Sequence, residues 1–142
     1  MVYFVGAGPG APDLITVRGQ ELLKRADIII YAGSLVNAQL LKAAPACCLI
    51  YNSAVMTLEE VVEVMVQGER EGKTIVRLHT GDPSLYGAIR EQMDRLEEAG
   101  IAFEVCPGVS SFCGAAASLQ AEYTLPGVSQ TVIITRMEGR TP

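Results

Sequence analysis

No stretch of this sequence approaches the roughly 20 consecutive apolar residues that carry a helix across a bilayer. The amino end, MVYFVGAGPG, lacks the basic segment and small-residue cleavage site of a signal peptide. These absences point to a cytoplasmic protein with no membrane partner. There is no block of Lys or Arg, and the net charge is −5, so nucleic acid is a poor candidate partner. A polyanionic small molecule stays open, because a few arginines gathered in one place would serve it. Zinc-ligand spacing is also lacking. Cys47 and Cys48 are adjacent, and Cys106 and Cys113 stand alone further on, which reads as free, partly buried thiols in a reducing compartment. The single histidine, His79, has no Cys or His neighbour to share a metal with, so no metal site is expected, although its place beside a turn puts it within reach of a ligand. The P-loop pattern G-x-x-x-x-G-K-[ST] is absent, which argues against ATP hydrolysis.

What is present is a chain of 142 residues, 49% hydrophobic and 19% charged, enough for one folded domain with a core. Short apolar runs alternate with helical patterns. VYFVGAG, DIIIYAG, CCLIYNS, TIVRLHT and AFEVCPG read as five strands, and DIIIYAG is apolar enough to be covered on both faces. Between them lie LITVRGQELLKRA, with Leu22, Leu23 and Ala26 facing inward, and the short helix VNAQLLKAA. TLEEVVEVMVQGEREG carries a capping box at Thr57 and Glu60, inner residues Val61, Val64 and Met65, and a stop at Gly72. AIREQMDRLEEAG and SSFCGAAASLQ complete the helices; the small residues of the last suit close approach to another backbone. Asp13 is expected to cap the helix that starts near Ile15. Met56, Met65 and Met93 read as core. The alternation implies an α/β fold, a mostly parallel five-stranded sheet flanked by helices.

In such sheets ligands bind at the carboxyl ends of the strands. GAGPGAPD, YAGS, TGDPSLYG and CPGVSS all fall there. GAGPG invites a dinucleotide reading, but the third glycine of G-x-G-x-x-G is replaced by Ala11, and the second strand ends without an acidic residue for a ribose. A nicotinamide-dependent oxidoreductase is therefore the weaker alternative. Glycine admits ligand atoms close to the main chain, and proline fixes loop shape. With Asp82, Leu85 and the hydroxyls of Ser110 and Ser111, the turns suit a purine, a ribose and an amino-acid tail better than a polyphosphate, which would want lysines.

Taken in order, VGAGPGAPDLITVRG, ADIIIYAGSLV, LHTGDPSLYGA, EVCPGVSSF and YTLPGVSQTVIITRMEGRTP resemble the tetrapyrrole (corrin/porphyrin) methyltransferases over nearly the whole chain. The resemblance implies a two-domain, non-Rossmann α/β enzyme of which this chain is the N-terminal half. Residues 1–122 would form the α/β domain, and 123–142 a linker and the first strand of an absent C-terminal domain. It implies S-adenosylmethionine as methyl donor, S-adenosylhomocysteine as product, a small-molecule tetrapyrrole as substrate, and a homodimer. ITVRG, YAGSLV and GDPSLYGAIREQ point within the family to C-11 methylation of precorrin-4, with or without cobalt, in cobalamin biosynthesis. Members acting on uroporphyrinogen-III, at C-20 of precorrin-2 or at C-17 of precorrin-3 are the nearest alternatives, and a non-catalytic fragment is another.

Carried over by motif, Pro9, Thr80, Gly81, Asp82, Leu85, Tyr86, Ser110 and Ser111 would bind the cofactor, and Tyr31, Ser34 and Arg18 the substrate. The uroporphyrinogen-methylating relatives carry an acid where Ala32 stands and a basic residue where Asn52 or Ser53 stands, so no catalytic acid or base is assigned. Asp82 either favours the sulfonium or caps its own turn, and Tyr31 faces either the substrate or the core. Arg18, Arg77 and Arg136 are candidates for substrate carboxylates, each with an ordinary solvated or structural role as the alternative.

Overall fold

The computed structural model describes residues 1–136. Strands β1 (Val2–Gly6), β2 (Ile28–Tyr31), β3 (Leu49–Asn52), β4 (Ile75–His79) and β5 (Phe103–Cys106) form one sheet in the order β3-β2-β4-β1-β5. Every pairing is parallel, as expected. The helices are α1 (Val17–Lys24), α2 (Leu58–Arg70), α3 (Ile89–Glu98) and α4 (Ser111–Leu119).

Alternation of side chains across the strands makes two cores. On one face Val5, Ile29, Val76, Leu78 and Cys106 pack with Leu22 and Leu23 of α1 and with Leu40. On the other, Val2, Phe4, Ile28, Ile30 and Ile75 pack with Val61 and Met65 of α2 and with Ile89 and Leu96 of α3. Full burial of one such side chain is worth about 1.5–3 kcal/mol, so these stripes hold the layers together. The α2 capping box forms as the sequence implies: Glu60 N–H donates to Thr57 Oγ1, and Thr57 N–H donates to the Glu60 carboxylate. Gly72, at φ +73°, ends the helix, with Lys73 N–H reaching back to Gly68 O.

Two expectations are corrected. Asp13 does not cap α1; it sits in a 3-10 turn, Pro12–Leu14, and Thr16 is the cap, its Oγ1 accepting from Gly19 N–H. The helix expected over residues 36–44 is the 3-10 stretch Ala38–Ala43, too short to develop α turns before Pro45. The run QTVIITR, residues 130–136, expected to be the first strand of a further domain, has no regular structure within this chain. Its continuation, 137–142, lies outside the described residues.

Met1–Ser111 is one compact unit, and the chain from Phe112 is a second. Within the second, Tyr123 Oη donates to Phe112 O at 2.6 Å, and Leu125 bridges Ser129 in a tight antiparallel turn. None of the α4 residues is buried. In the first unit, the chain leaving β2 runs outward to β3, while that leaving β4 runs the other way to β5. Adjacent strands with diverging connections open a crevice at their carboxyl ends.

Candidate functional site

Three of the four strand-end turns meet main chain against main chain. Ala7 N–H donates to His79 O at 2.7 Å, Gly8 N–H to Gly81 O at 3.2 Å, and Gly81 N–H to Gly8 O at 2.9 Å. The turn after β5 closes on both. A Cβ on Gly108 would stand 2.1 Å from Gly81 O and 2.7 Å from Gly6 Cα, and a Cβ on Gly6 would stand 2.5 Å from Gly108 Cα. Only glycine fits at that crossing. Gly81, at φ +62°, has Ser110 Cα and Ser111 N 3.7 and 3.8 Å from where its Cβ would be. The segments around Pro9, Asp82 and Ser110 thus share one place.

Asp82 is the lock of this cluster. Its Oδ2 accepts from Gly108 N–H at 2.8 Å, and its Oδ1 accepts from Ser84 N–H at 2.9 Å and from the Ser84 hydroxyl. Burial pushes the carboxyl up, but the hydrogen bonds from Ser84 and Gly108 together outweigh it and hold the group below its ordinary value. Of the two roles expected for Asp82, the geometry shows the turn-holding one.

Around the lock, Pro9 is half-buried between Gly8 and Gly10, and Thr80 is half-buried. Ser110 is buried, and Ser111 opens α4. Leu85 and Tyr86 are exposed on the turn before α3, where Tyr86 at φ 55° and Ala88 at φ 49° take left-handed conformations that L residues avoid. Tyr31 is half-buried against the α1-side core at the end of β2, paired with Leu78 of β4. Ser34 is exposed in the turn Gly33–Leu35 that follows. Arg18 is exposed on the first turn of α1 and, among the described residues, makes no hydrogen bond or ion pair that ties it to these turns. Arg136 belongs to the second unit.

Sequence reasoning missed Asn37. Its Nδ2 donates to Gly10 O at 2.8 Å, tying the β2 turn to the β1 turn, while its Oδ1 caps the following 3-10 stretch. The only signal was an Asn before a helical pattern, which reads as a cap and nothing more.

Beneath the turns, the α2/α3 face buries three polar side chains. Arg77 on β4 donates from Nε to Gln92 Oε1 at 3.0 Å and from Nη1 to Ile30 O at 3.2 Å. Desolvation lowers its guanidinium to about 10. His79 lies two residues on, its ring 6.0 Å from that of Phe4, and its Nε2 has no partner. Burial, with the Arg77 charge adding to it, lowers His79 to about 3, so the ring is neutral near pH 7.

This arrangement does not fit a dinucleotide fold: β1 leads into a 3-10 turn, and α1 starts only at Val17, so no helix N-terminus follows the GAG directly. The four cysteines are free, and among the described residues no three His, Cys, Asp or Glu side chains gather as a metal set. Among the described residues, no helix is long and apolar enough to cross a membrane. A parallel sheet whose glycine turns interlock at the carboxyl edge, without the dinucleotide arrangement of a helix directly after the first glycine turn, defines the α/β class of this domain. The chain belongs to the Tetrapyrrole (Corrin/Porphyrin) Methylases, whose family model matches residues 1–142. It is 61% identical over 141 residues to the cobalt-precorrin-4 C(11)-methyltransferase of Methanocaldococcus jannaschii, covering 99% of this chain and 54% of that protein. The X-ray structure of a cobalt precorrin-4 methyltransferase superposes with a TM-score of 0.95 at 52% identity, over 99% of this chain and 59% of the other. The Thermus thermophilus uroporphyrin-III C-methyltransferase, solved in complex with S-adenyl homocysteine, superposes at 0.74 with 33% identity, over 92% and 52%. The chain therefore spans about half the length of the curated relatives it matches.

Proposed function

We propose that this chain is the N-terminal domain of an S-adenosylmethionine-dependent enzyme that methylates C-11 of precorrin-4, in its cobalt or metal-free form, during cobalamin synthesis. The observation that carries the reading is the interlocked crossing of Gly8, Gly81 and Gly108, which brings three separate strand-end turns together at one place. The residues fit the group: backbone carbonyls and hydroxyls for a ribose, Leu85 for an apolar ring face, and a carboxylate rather than a lysine nearby.

In this reading Pro9, Thr80, Gly81, Leu85, Tyr86, Ser110 and Ser111 line the cofactor seat, and Asp82 holds its shape. Tyr31 and Ser34, on the β2 side of the crevice, face the tetrapyrrole, and Arg18 is a peripheral contact for its carboxylates. S-adenosylmethionine, when bound, supplies a methyl group on a positively charged sulfur that is already a good leaving group. The protein's part is to orient that methyl toward a ring carbon and to exclude water. Rigid turns do this at little entropic cost, because their conformation is set before binding. A homodimer in the cytoplasm, acting on a small molecule, completes the proposal.

The test has two arms. Calorimetry with S-adenosylhomocysteine should show binding to the full-length protein and weaker binding to this chain. Mass spectrometry should show one labelled methyl group transferred to precorrin-4 by the full-length protein. Absence of both overturns the reading.

A further inference from the structure

The α2/α3 face holds a cation with no counter-charge. Arg77 is 7% exposed, and both of its hydrogen bonds go to neutral acceptors. Among the described residues no carboxylate lies within ion-pair distance of it, and Nη2 donates to nothing. Buried guanidinium groups normally carry a paired anion, since an uncompensated charge in a low-dielectric site is strongly unfavourable. Gln92 does not fill that need. Its Oε1 accepts from Nε while its Nε2 donates to Ala88 O at 3.0 Å, so it orients the guanidinium and nothing further.

Beside Arg77 is a cavity of about 150 Å³, lined also by Ser53, Met56, Thr57, Leu58 and Gln92. Thr57 and Leu58, the cap and first residue of α2, border the same space, and the Glu60 carboxylate already accepts the Thr57 N–H there, so the unmet charge is that of Arg77. Ser53 follows β3 and donates its hydroxyl to Tyr31 O at 3.0 Å, which places the cavity close to the carboxyl edge of the sheet. The volume admits one small anionic group and excludes a nucleotide.

We propose that this cavity is a carboxylate seat: one carboxylate enters beside Arg77 and pairs with the free edge of the guanidinium. The carboxylate has two possible sources, a free small acid or an acetate or propionate arm of a tetrapyrrole. The second source rests on the function proposed above, whereas the seat itself does not.

The experiment is NMR of the 142-residue chain, following the Arg77 side-chain N–H resonances, with melting temperature as a parallel readout. Acetate at constant ionic strength should shift those resonances saturably and raise the melting temperature by several degrees. Arg77→Met should abolish both effects. Should that variant fail to fold, Ser53→Leu keeps Arg77, narrows the cavity and should weaken acetate binding roughly tenfold or more. Uroporphyrin, but not its octamethyl ester, should produce the same Arg77 shift if the arm of a tetrapyrrole is the natural occupant; acetate alone acting identifies a free acid. No saturable Arg77 shift with either ligand, or an acetate effect that survives in the variants, overturns the seat. Loss of S-adenosylhomocysteine binding would count against the methyltransferase reading and leave this result intact.

Discussion

The two halves of the sheet's carboxyl edge are built differently. After β1, β4 and β5, the turns meet main chain against main chain, with the Asp82 carboxylate accepting from Gly108 N–H, and at Gly6 and Gly108 there is no volume for a methyl group. After β2 and β3, the turns are held by side chains: Asn37 to Gly10 O, Ser53 to Tyr31 O, and Asn52 Oδ1 accepting from Ala54 N–H at 2.9 Å. The first kind of junction is rigid and cannot be varied one residue at a time. The second can be retuned by single substitutions. A common cofactor on the first half and a variable substrate on the second would suit that division.

The largest break should come from Gly108→Ala. Its Cβ would meet Gly81 O at 2.1 Å, so the β5 turn must move away from both others. We expect a loss of roughly 3 kcal/mol or more in denaturant unfolding, and no measurable S-adenosylhomocysteine binding by calorimetry.

His79, beneath the rigid half, should impose a pH dependence. Its folded value, about 3, lies below the unfolded value of about 6.5. Between these, the unfolded chain holds a proton that the folded chain refuses, so the stabilisation is complete above about pH 6.5 and falls as the solution is acidified toward 3. The slope from this group approaches about 1.4 kcal/mol per pH unit. In urea unfolding at several pH values, His79→Leu should flatten that part of the curve relative to the parent. An unchanged curve would contradict the buried, neutral ring.

Asp82→Asn removes one of the acceptors shared by Gly108 and Ser84 and should cost about 1–3 kcal/mol at neutral pH. Because the native carboxyl is held below its ordinary value, its contribution is present above the unfolded value near 3.9 and is lost as pH falls further. The variant should lack that acid limb in thermal melts.

The smallest effect belongs to the variable half. Ser53→Ala deletes one hydrogen bond to Tyr31 O, worth about 0.5–1.5 kcal/mol, and should leave S-adenosylhomocysteine affinity unchanged. If it weakened that affinity as much as Gly108→Ala does, the two halves would not be functionally distinct.

Much of this was legible from residues alone. Five apolar runs separated by helical patterns specified a parallel sheet, and the capping box and Gly72 fixed both ends of α2, because each signal is local. The meeting of the glycine turns followed from one rule about where parallel strands end. Strand order was not legible, nor was the Asn37 link, because both depend on contacts between segments distant in sequence. The burial of Arg77 and His79 was not legible for a related reason. Position on β4 says that a side chain alternates faces, but not that α3 will bring Gln92 to meet it. At residues 130–136 only propensity speaks for a strand, and no regular structure forms there within this chain.

The sheet order carries a consequence for assembly of the chain. β1 is flanked by β4 and β5, both made later, so Val2–Gly6 has no hydrogen-bonding neighbour until Ile75–His79 has left the ribosome. During synthesis the β2–β3 pair can form locally while VYFVG waits as an unpaired apolar segment. Such long-range closure slows folding and leaves a sticky strand available to chaperones or to other chains.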